Sequence, residues 1–301
     1  MLKINRSYIP KNKSTSGGLD TFYPFRDTKL KSINEHTLLK FELCGVDIEA
    51  LTKSVYDAMT KFGQYNYRLG RDENQLRIDK GYGGFGLTYN PELIEEVQSD
   101  IHEQVQGNPQ SIKMVVEGKV NPFTQLPRKS ESVFNLKNTH YDTYGMSYRT
   151  PASQHDYLGK FLDATKRTMV RSAVRIIYAD EEGPVDGKPG VHWHTDESMT
   201  ENLRVNIPLV TDPIFVLEQK DRDPVHLEKG HAYSWDTNIL HRAYATEKQP
   251  IHRIHLMLGF SCWWDFNEAT GDWEANEFFG KKHPKDMLVD GDVIPGLKLV
   301  N

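Results

Sequence analysis

Two cysteines in 301 residues, Cys44 and Cys262, are too few for a disulfide framework, and a thiolate zinc site would need other ligands. Long apolar runs are missing as well. Stretches such as Leu256-Met257-Leu258-Gly259-Phe260 fall far short of the about 20 residues that a membrane-spanning helix needs. The opening Met1-Leu2-Lys3-Ile4-Asn5-Arg6-Ser7 turns polar at once and carries no apolar export-signal core, so a cytoplasmic location is expected. Charge of one sign is not in excess either: 37 Lys and Arg against 42 Asp and Glu leave a net −5. That balance offers nucleic acid no broad cationic surface, and no nucleic-acid or membrane partner is expected. With 11 % aromatics the chain is globular rather than disordered. Histidine, in contrast, is plentiful. Seven of the 12 fall between His192 and His255, and that bunching needs an explanation.

Along the chain, the first 35 or so residues, rich in Lys, Ser, Asn and Gly, read as irregular or peripheral. Asp47 can cap a helix whose Ile48, Leu51, Val55, Met59 and Phe62 recur at three- or four-residue steps before Gly63. Asn90-Pro91 starts a second helix through Leu93, Ile94, Val97 and Ile101 to Gly107. From Gly107 to Asn135 the pattern weakens into a long connection, and a third helix is expected from Ser153 to about Arg167. From Met169 the period changes to two. Val174 to Tyr178, Val191 to Thr195, Leu203 to Val210, His231 to Trp235 and Ile251 to Phe260 read as short strands separated by turns, which points to a β-sandwich or barrel. After Cys262, Trp263, Trp264, Trp273, Phe278 and Phe279 mark an aromatic arm with no regular pattern. The expected organisation is a helix-rich part over residues 1–150, a β core over 151–262 and an arm over 263–301, forming one compact unit.

On an extended strand, His192, His194 and Asp196 share a face. An imidazole and a carboxylate two residues apart, joined by an imidazole from a distant strand, make a two-His-one-carboxylate triad that leaves open positions on iron. His241, 47 residues beyond His194, is the natural third ligand. An isolated His-x-Asp pair is common by chance, but this one has company. Period two puts Leu203, Val205, Ile207 and Leu209 on one face and Arg204 and Asn206 on the other; Ile254, Leu256 and Leu258 are likewise opposed to Arg253 and His255. An inward arginine on a barrel strand is costly unless it meets an anion, and its fork suits a carboxylate. A buried ion pair or a solvated sheet face would account for either arginine taken alone.

The series His194-x-Asp196, Asn202-x-Arg204-x-Asn206-Ile207-Pro208-Leu209, Glu228-x-Gly230-x-x-Tyr233-x-Trp235-Asp236, His241 and Arg253-Ile254-His255-Leu256 resembles the Fe(II)/2-oxoglutarate-dependent oxygenases. Within them it is most similar to the aspartyl/asparaginyl β-hydroxylase-like branch. The resemblance covers about residues 170–262. It implies a double-stranded β-helix, or jelly-roll, cupin-like core, mostly β with flanking helices, and iron held by His194, Asp196 and His241. It also implies that Arg253 grips the far carboxylate of 2-oxoglutarate and that Arg204 lies near its metal-chelating carboxylate. The implied reaction uses Fe(II), 2-oxoglutarate and O2 to hydroxylate an unactivated C–H of a small-molecule or amino-acid-type substrate, with succinate and CO2 as coproducts. Retention of Asp196 argues against halogenation, which needs that coordination position for halide. Where those hydroxylases can place a histidine, this chain has Asn206, whose role is left open.

Competing assignments exist within the chain. His140-Tyr141-Asp142 is a second His-x-Asp, but it lies in an irregular stretch and leaves the Trp235 to His255 pattern unexplained; His140, with Tyr141, Tyr144 and Arg149, fits a substrate-facing loop or plain surface. His192 could join a His-x-His cupin site with Glu197, line the substrate pocket, or be a simple strand histidine. Asn206 and His255 are further candidates for contact with substrate. A cupin-type protein that binds metal or an anion without turnover is the alternative function.

Overall fold

The computed structural model describes residues 3–5, 38–62, 82–89, 147–180, 183, 185–197, 199 and 202–300. The helix expected from Asn90, the Gly107 to Asn135 connection and His140, Tyr141 and Tyr144 lie outside the described residues.

In chain order the elements are β1 (Lys3–Asn5), β2 (Leu39–Leu43), α1 (Ile48–Phe62), β3 (Tyr82–Gly86), β4 (Thr88–Tyr89) and β5 (Tyr148–Arg149). A 3-10 turn (Ala152–Gln154) leads into α2 (Asp156–Asp163), β6 (Ala173–Tyr178), β7 (Gly190–His194), β8 (Leu203–Val210), β9 (Phe215–Gln219) and β10 (Val225–His226). They are followed by β11 (His231–Ser234), β12 (His241–Ala245), β13 (His252–Phe260), β14 (Trp264–Asn267), β15 (Asp272–Ala275), α3 (Pro284–Val289) and β16 (Leu297–Leu299). Seven strands form one sheet in the order β16-β2-β11-β8-β13-β6-β3, and four form a second in the order β10-β9-β12-β7. From β6 to β13 the chain passes back and forth between the two sheets, all pairs being antiparallel. This is a jelly roll. Strands from both flanks widen its larger sheet: β2 and β3 precede the core in sequence, and β16 follows it.

The larger sheet is two-faced because its strands alternate. Leu203, Val205, Ile207 and Leu209 of β8, with Ile254, Leu256 and Leu258 of β13, are fully buried in the main core cluster, together with Leu51 and Val55 of α1 and Leu158 of α2. Each such side chain contributes about 1.5–3 kcal/mol through removal from water. The helices thus cover the outer face and leave the alternate residues turned into the sandwich. Asp47 caps α1 by accepting the Ala50 N–H at 3.0 Å, as the sequence leads one to expect. Ser54 joins the helices by accepting the Leu158 N–H and donating to the His155 carbonyl, each at 3.0 Å.

Helix α2 is shorter than the Ser153 to Arg167 span expected from its periodicity. The 3-10 turn precedes it, Asp156 takes φ 43°, and beyond Ala164 the Lys166 N–H donates to the Val293 carbonyl at 2.9 Å. The arm after Cys262 is also more regular than its composition indicates. Strands β14 and β15 form a hairpin that pairs with β1, with Trp263, Trp264 and Trp273 fully buried. At the hairpin tip Gly271 supplies φ 72° while its N–H donates to the Asn267 carbonyl at 2.8 Å.

His283 caps α3 by accepting the Lys285 N–H at 3.1 Å on its Nδ1, and burial pushes its pKa down to about 4. The unfolded imidazole, near 6.5, takes up its proton first, so this contribution to stability is intact above about pH 6.5 and is lost as the pH falls toward 4. His283→Asn keeps an N-cap acceptor without the titration. Acid melting curves of the variant should decline less steeply between pH 6.5 and 4, by up to about 3 kcal/mol.

Candidate metal and anion site

The inner faces of the two sheets enclose a cavity. Its wall includes Arg175 of β6, Arg204 and Asn206 of β8, and Arg253, His255 and Met257 of β13 from the larger sheet. Val191, His194, Leu217, His241 and Ala243 come from the smaller one, and Arg171, Asp196, Leu227, Trp235 and Thr237 from the connections and strand ends. His194, Asp196 and His241 bring their ligand atoms within 4.8 Å of one another, and they are the one such group among the described residues.

Pairing in the smaller sheet creates this meeting point. His241 lies opposite His194, whereas Ala243 lies opposite Val191, so three steps on β7 face two on β12. That bulge breaks simple alternation. Val191 and His194 both reach the cavity, and His192 is outside its wall. Instead, the His192 carbonyl stands 2.7 Å from Nδ1 of His194, and the Ile239 carbonyl 2.8 Å from Nδ1 of His241. A carbonyl can only accept, so both rings donate through Nδ1, and in the neutral form each turns the lone pair of Nε2 toward Asp196. Those Nε2 atoms lie 3.8 Å (His194) and 4.0 Å (His241) from Oδ2 of Asp196. Asp196 follows the end of β7, where its N–H donates to the Thr237 carbonyl at 2.8 Å and ties it to the segment leading into β12. Gly190 opens β7 at φ 158°; a Cβ there would lie 2.6 Å from Cβ of Tyr244, so only glycine lets the two strands approach this closely.

The electrostatics favour a cation at the triad. Burial opposes ionisation of Asp196, but Arg204, then His194, Arg171 and His241, outweigh it and hold the carboxyl far below the usual carboxylate range. Burial pushes His241 down against the opposing pull of Asp196, which keeps the imidazole neutral near pH 7. Two imidazoles, which would coordinate as neutral rings, and one carboxylate fit a divalent transition metal with coordination positions left over. Deeper in the wall, burial followed by Arg253 drives His255 well down, so it too is neutral. Nε2 of His255 and Nε1 of Trp235 are buried without a hydrogen-bond partner among the described residues. The Trp235 N–H can only donate, and it and the Arg253 guanidinium face the same cavity, which suits a ligand with oxygen acceptors.

Of the residues singled out in the sequence, His194, Asp196, His241, Arg204, Arg253, Asn206 and His255 meet in this cavity. Arg149 lies elsewhere, donating to Ser153 Oγ at 2.7 Å and pairing with Asp163 at 3.2 Å. Arg204 is more committed than its strand parity reveals: its Nη2 is 3.1 Å from Oε2 of Glu197, and Nη1 lies 3.1 Å from Sδ of Met257. Arg171 and Arg175 are additions to that wall, as is Trp235, which the sequence placed only within the motif series; Glu197, weighed there for a cupin-type site, pairs with Arg171 and Arg204 and does not line the cavity. Arg175 had a signal, since it alternates with Val174 and Ile176. Arg171 had none, because its approach to Glu197 depends on a left-handed backbone with φ 43°.

No family model and no curated protein matches the chain. Among solved structures it is similar to the non-heme alpha ketoglutarate dependent carbocyclase SnoK from nogalamycin biosynthesis, with 11 % identity, TM-score 0.34, and 92 % of this chain and 98 % of that one covered. EctD from S. alaskensis with bound Fe matches with 11 % identity and TM-score 0.33, covering 87 % and 83 %. A prolyl-4-hydroxylase from Pseudomonas putida matches with 7 % identity and TM-score 0.32, covering 75 % and 93 %. No helix among the described residues is long and apolar enough to cross a membrane.

On the outer face, Arg242 stacks over Trp193 at 4.5 Å and Tyr244 at 4.7 Å, and its Nε donates to Glu218 at 2.7 Å. These residues adjoin His194 and His241 on the opposite face of the same strands. Arg242→Ala should cost about 1–2 kcal/mol of stability and loosen the β7–β12 pair. Chemical denaturation measures the first effect, and a several-fold drop in divalent-metal affinity reports the second.

Proposed function

We propose that the protein is an Fe(II)- and 2-oxoglutarate-dependent oxygenase that hydroxylates a small-molecule or amino-acid-type substrate. The observation carrying this reading is the union, in one cavity, of the His194–Asp196–His241 cluster with the buried Arg253 and His255. A metal triad alone would serve many purposes. A triad that shares a cavity with a buried guanidinium suits a ligand that chelates at one end and carries a carboxylate at the other.

His194, Asp196 and His241 would hold the iron through Nε2, a carboxylate oxygen and Nε2. When bound, the iron, with 2-oxoglutarate and O2, supplies the oxidation of an unactivated C–H bond, with release of succinate and CO2. The chain's own part is binding and orientation. Arg253 takes the far carboxylate, with neutral His255 beside it as a hydrogen-bonding neighbour. Arg204 stands 3.9 Å from Oδ2 of Asp196, at the metal end of the cavity. The apolar groups Leu217, Leu227 and Val191 line the same space and limit water around the reacting end. Assignment to the aspartyl/asparaginyl β-hydroxylase-like branch rests on the order of motifs in the sequence.

Replacement of His194, Asp196 or His241 by Ala should abolish iron-dependent succinate formation from 2-oxoglutarate; full turnover in any of the three would refute the site. Arg253→Ala should weaken 2-oxoglutarate by about 10- to 150-fold, from loss of a charged hydrogen bond of about 1.5–3 kcal/mol, while metal binding is retained. Succinate release titrated against 2-oxoglutarate and calorimetry with metal alone separate the two effects.

A further inference from the structure

Behind the triad lies a buried acidic group that the reading above does not use. Glu197 is 1 % exposed and directly follows Asp196. Both of its carboxylate oxygens are engaged: Oε1 pairs with Arg171, and Oε2 takes Nη2 of Arg204 at 3.1 Å and Nδ2 of Asn202 at 3.2 Å. Its own carbonyl accepts the Thr237 hydroxyl at 2.7 Å, which fixes the backbone on the far side of Asp196 from β7. Glu197 therefore has no oxygen to offer a metal, and it does not line the cavity. What it does hold is the guanidinium of Arg204, whose same Nη2 atom is 3.9 Å from Oδ2 of Asp196.

That shared nitrogen matters because Asp196 has two suitors. A divalent cation at the triad and the Arg204 guanidinium both favour the same carboxylate oxygen, and they repel each other across a poorly solvated gap. Arg204 is 2 % exposed, so water does not disperse its charge. Glu197, at 3.1 Å, is the nearer anion and balances it. We propose that Glu197 is a positioning residue: it holds the Arg204 guanidinium back from Asp196, leaving that carboxylate to the metal. Outer groups that orient metal ligands commonly change affinity by about 10- to 100-fold when removed.

This inference rests on the metal reading of the triad, and the test separates the two. Cobalt(II) binding to the full chain, without 2-oxoglutarate, is followed by visible absorption and calorimetry, with circular dichroism confirming the fold of each variant. Glu197→Gln should weaken cobalt at least tenfold. Glu197→Asp, which keeps the charge, should stay within threefold of the parent. The decisive variant is Glu197→Gln combined with Arg204→Met, which removes the guanidinium at 3.9 Å from Asp196 while leaving Arg171 in place, and should bring affinity back to within threefold. An equal loss in the single and double variants, or undiminished binding in Glu197→Gln, overturns the proposal. Should Glu197→Gln not fold, the double variant decides alone: parent-like cobalt binding supports the proposal, and a loss beyond threefold overturns it. Asp196→Ala is the control. A parent that takes up no cobalt, or an Asp196→Ala variant that binds like the parent, overturns the metal reading and the proposal with it. A failed Glu197 pattern alongside cobalt loss in Asp196→Ala overturns the proposal alone.

Discussion

The pairing of β7 with β12 is the constraint on which the cavity depends. His194 and His241 face each other because the bulge between Val191 and His194 absorbs one residue, and because Gly190 lets the strands approach without a Cβ in the way. The two imidazoles are then fixed by carbonyls of their own strands or approach segments, so their tautomers follow from backbone position. Thr237 completes the arrangement from the other side by holding the backbone of both Asp196 and Glu197. Little is left to side-chain chance.

The larger sheet solves a different problem. Four arginines and three histidines line a space inside a folded protein, where isolated charges are costly. The fold tolerates this because the opposite face of the same strands is fully apolar and packed under α1 and α2. Two smaller clusters, one around Ile177 and Phe215 and the other around Leu217 and Tyr233, fill more of the space between the sheets. A cationic interior is thus held open by hydrophobic packing on both sides of it.

Much of this was legible in the sequence where one period ran without interruption. The alternation in β8 and β13 separates Arg204, Asn206, Arg253 and His255 from the core residues between them, and the spacing in α1 is regular from its Asp47 cap onward. Local irregularity hid the rest. A period-two reading places His192 beside His194, and the bulge cannot be read from residue types alone. Strand β3, Tyr-Gly-Gly-Phe-Gly, lacks β-branched residues, and its Gly84 is set by the close backbone of Val174. Strand β9 offers a short apolar run that fits strand or helix segment equally well. Glu197, weighed in the sequence as a ligand of a His-x-His cupin site, is instead committed to Arg171 and Arg204, which come from segments on either side of it in sequence.

The edge of the larger sheet has a consequence for how the chain is made. Strand β16 pairs with β2, Leu297 opposite Leu43 and Leu299 opposite Phe41, across more than 250 residues of sequence. During synthesis, β2 therefore cannot form this pair until β16 has been made. Such distant pairings are entropically slow to close. Because β11, the other neighbour of β2, also lies nearly 190 residues downstream, β2 stays unpaired while that intervening chain is made, and an unpaired strand favours association between unfinished chains.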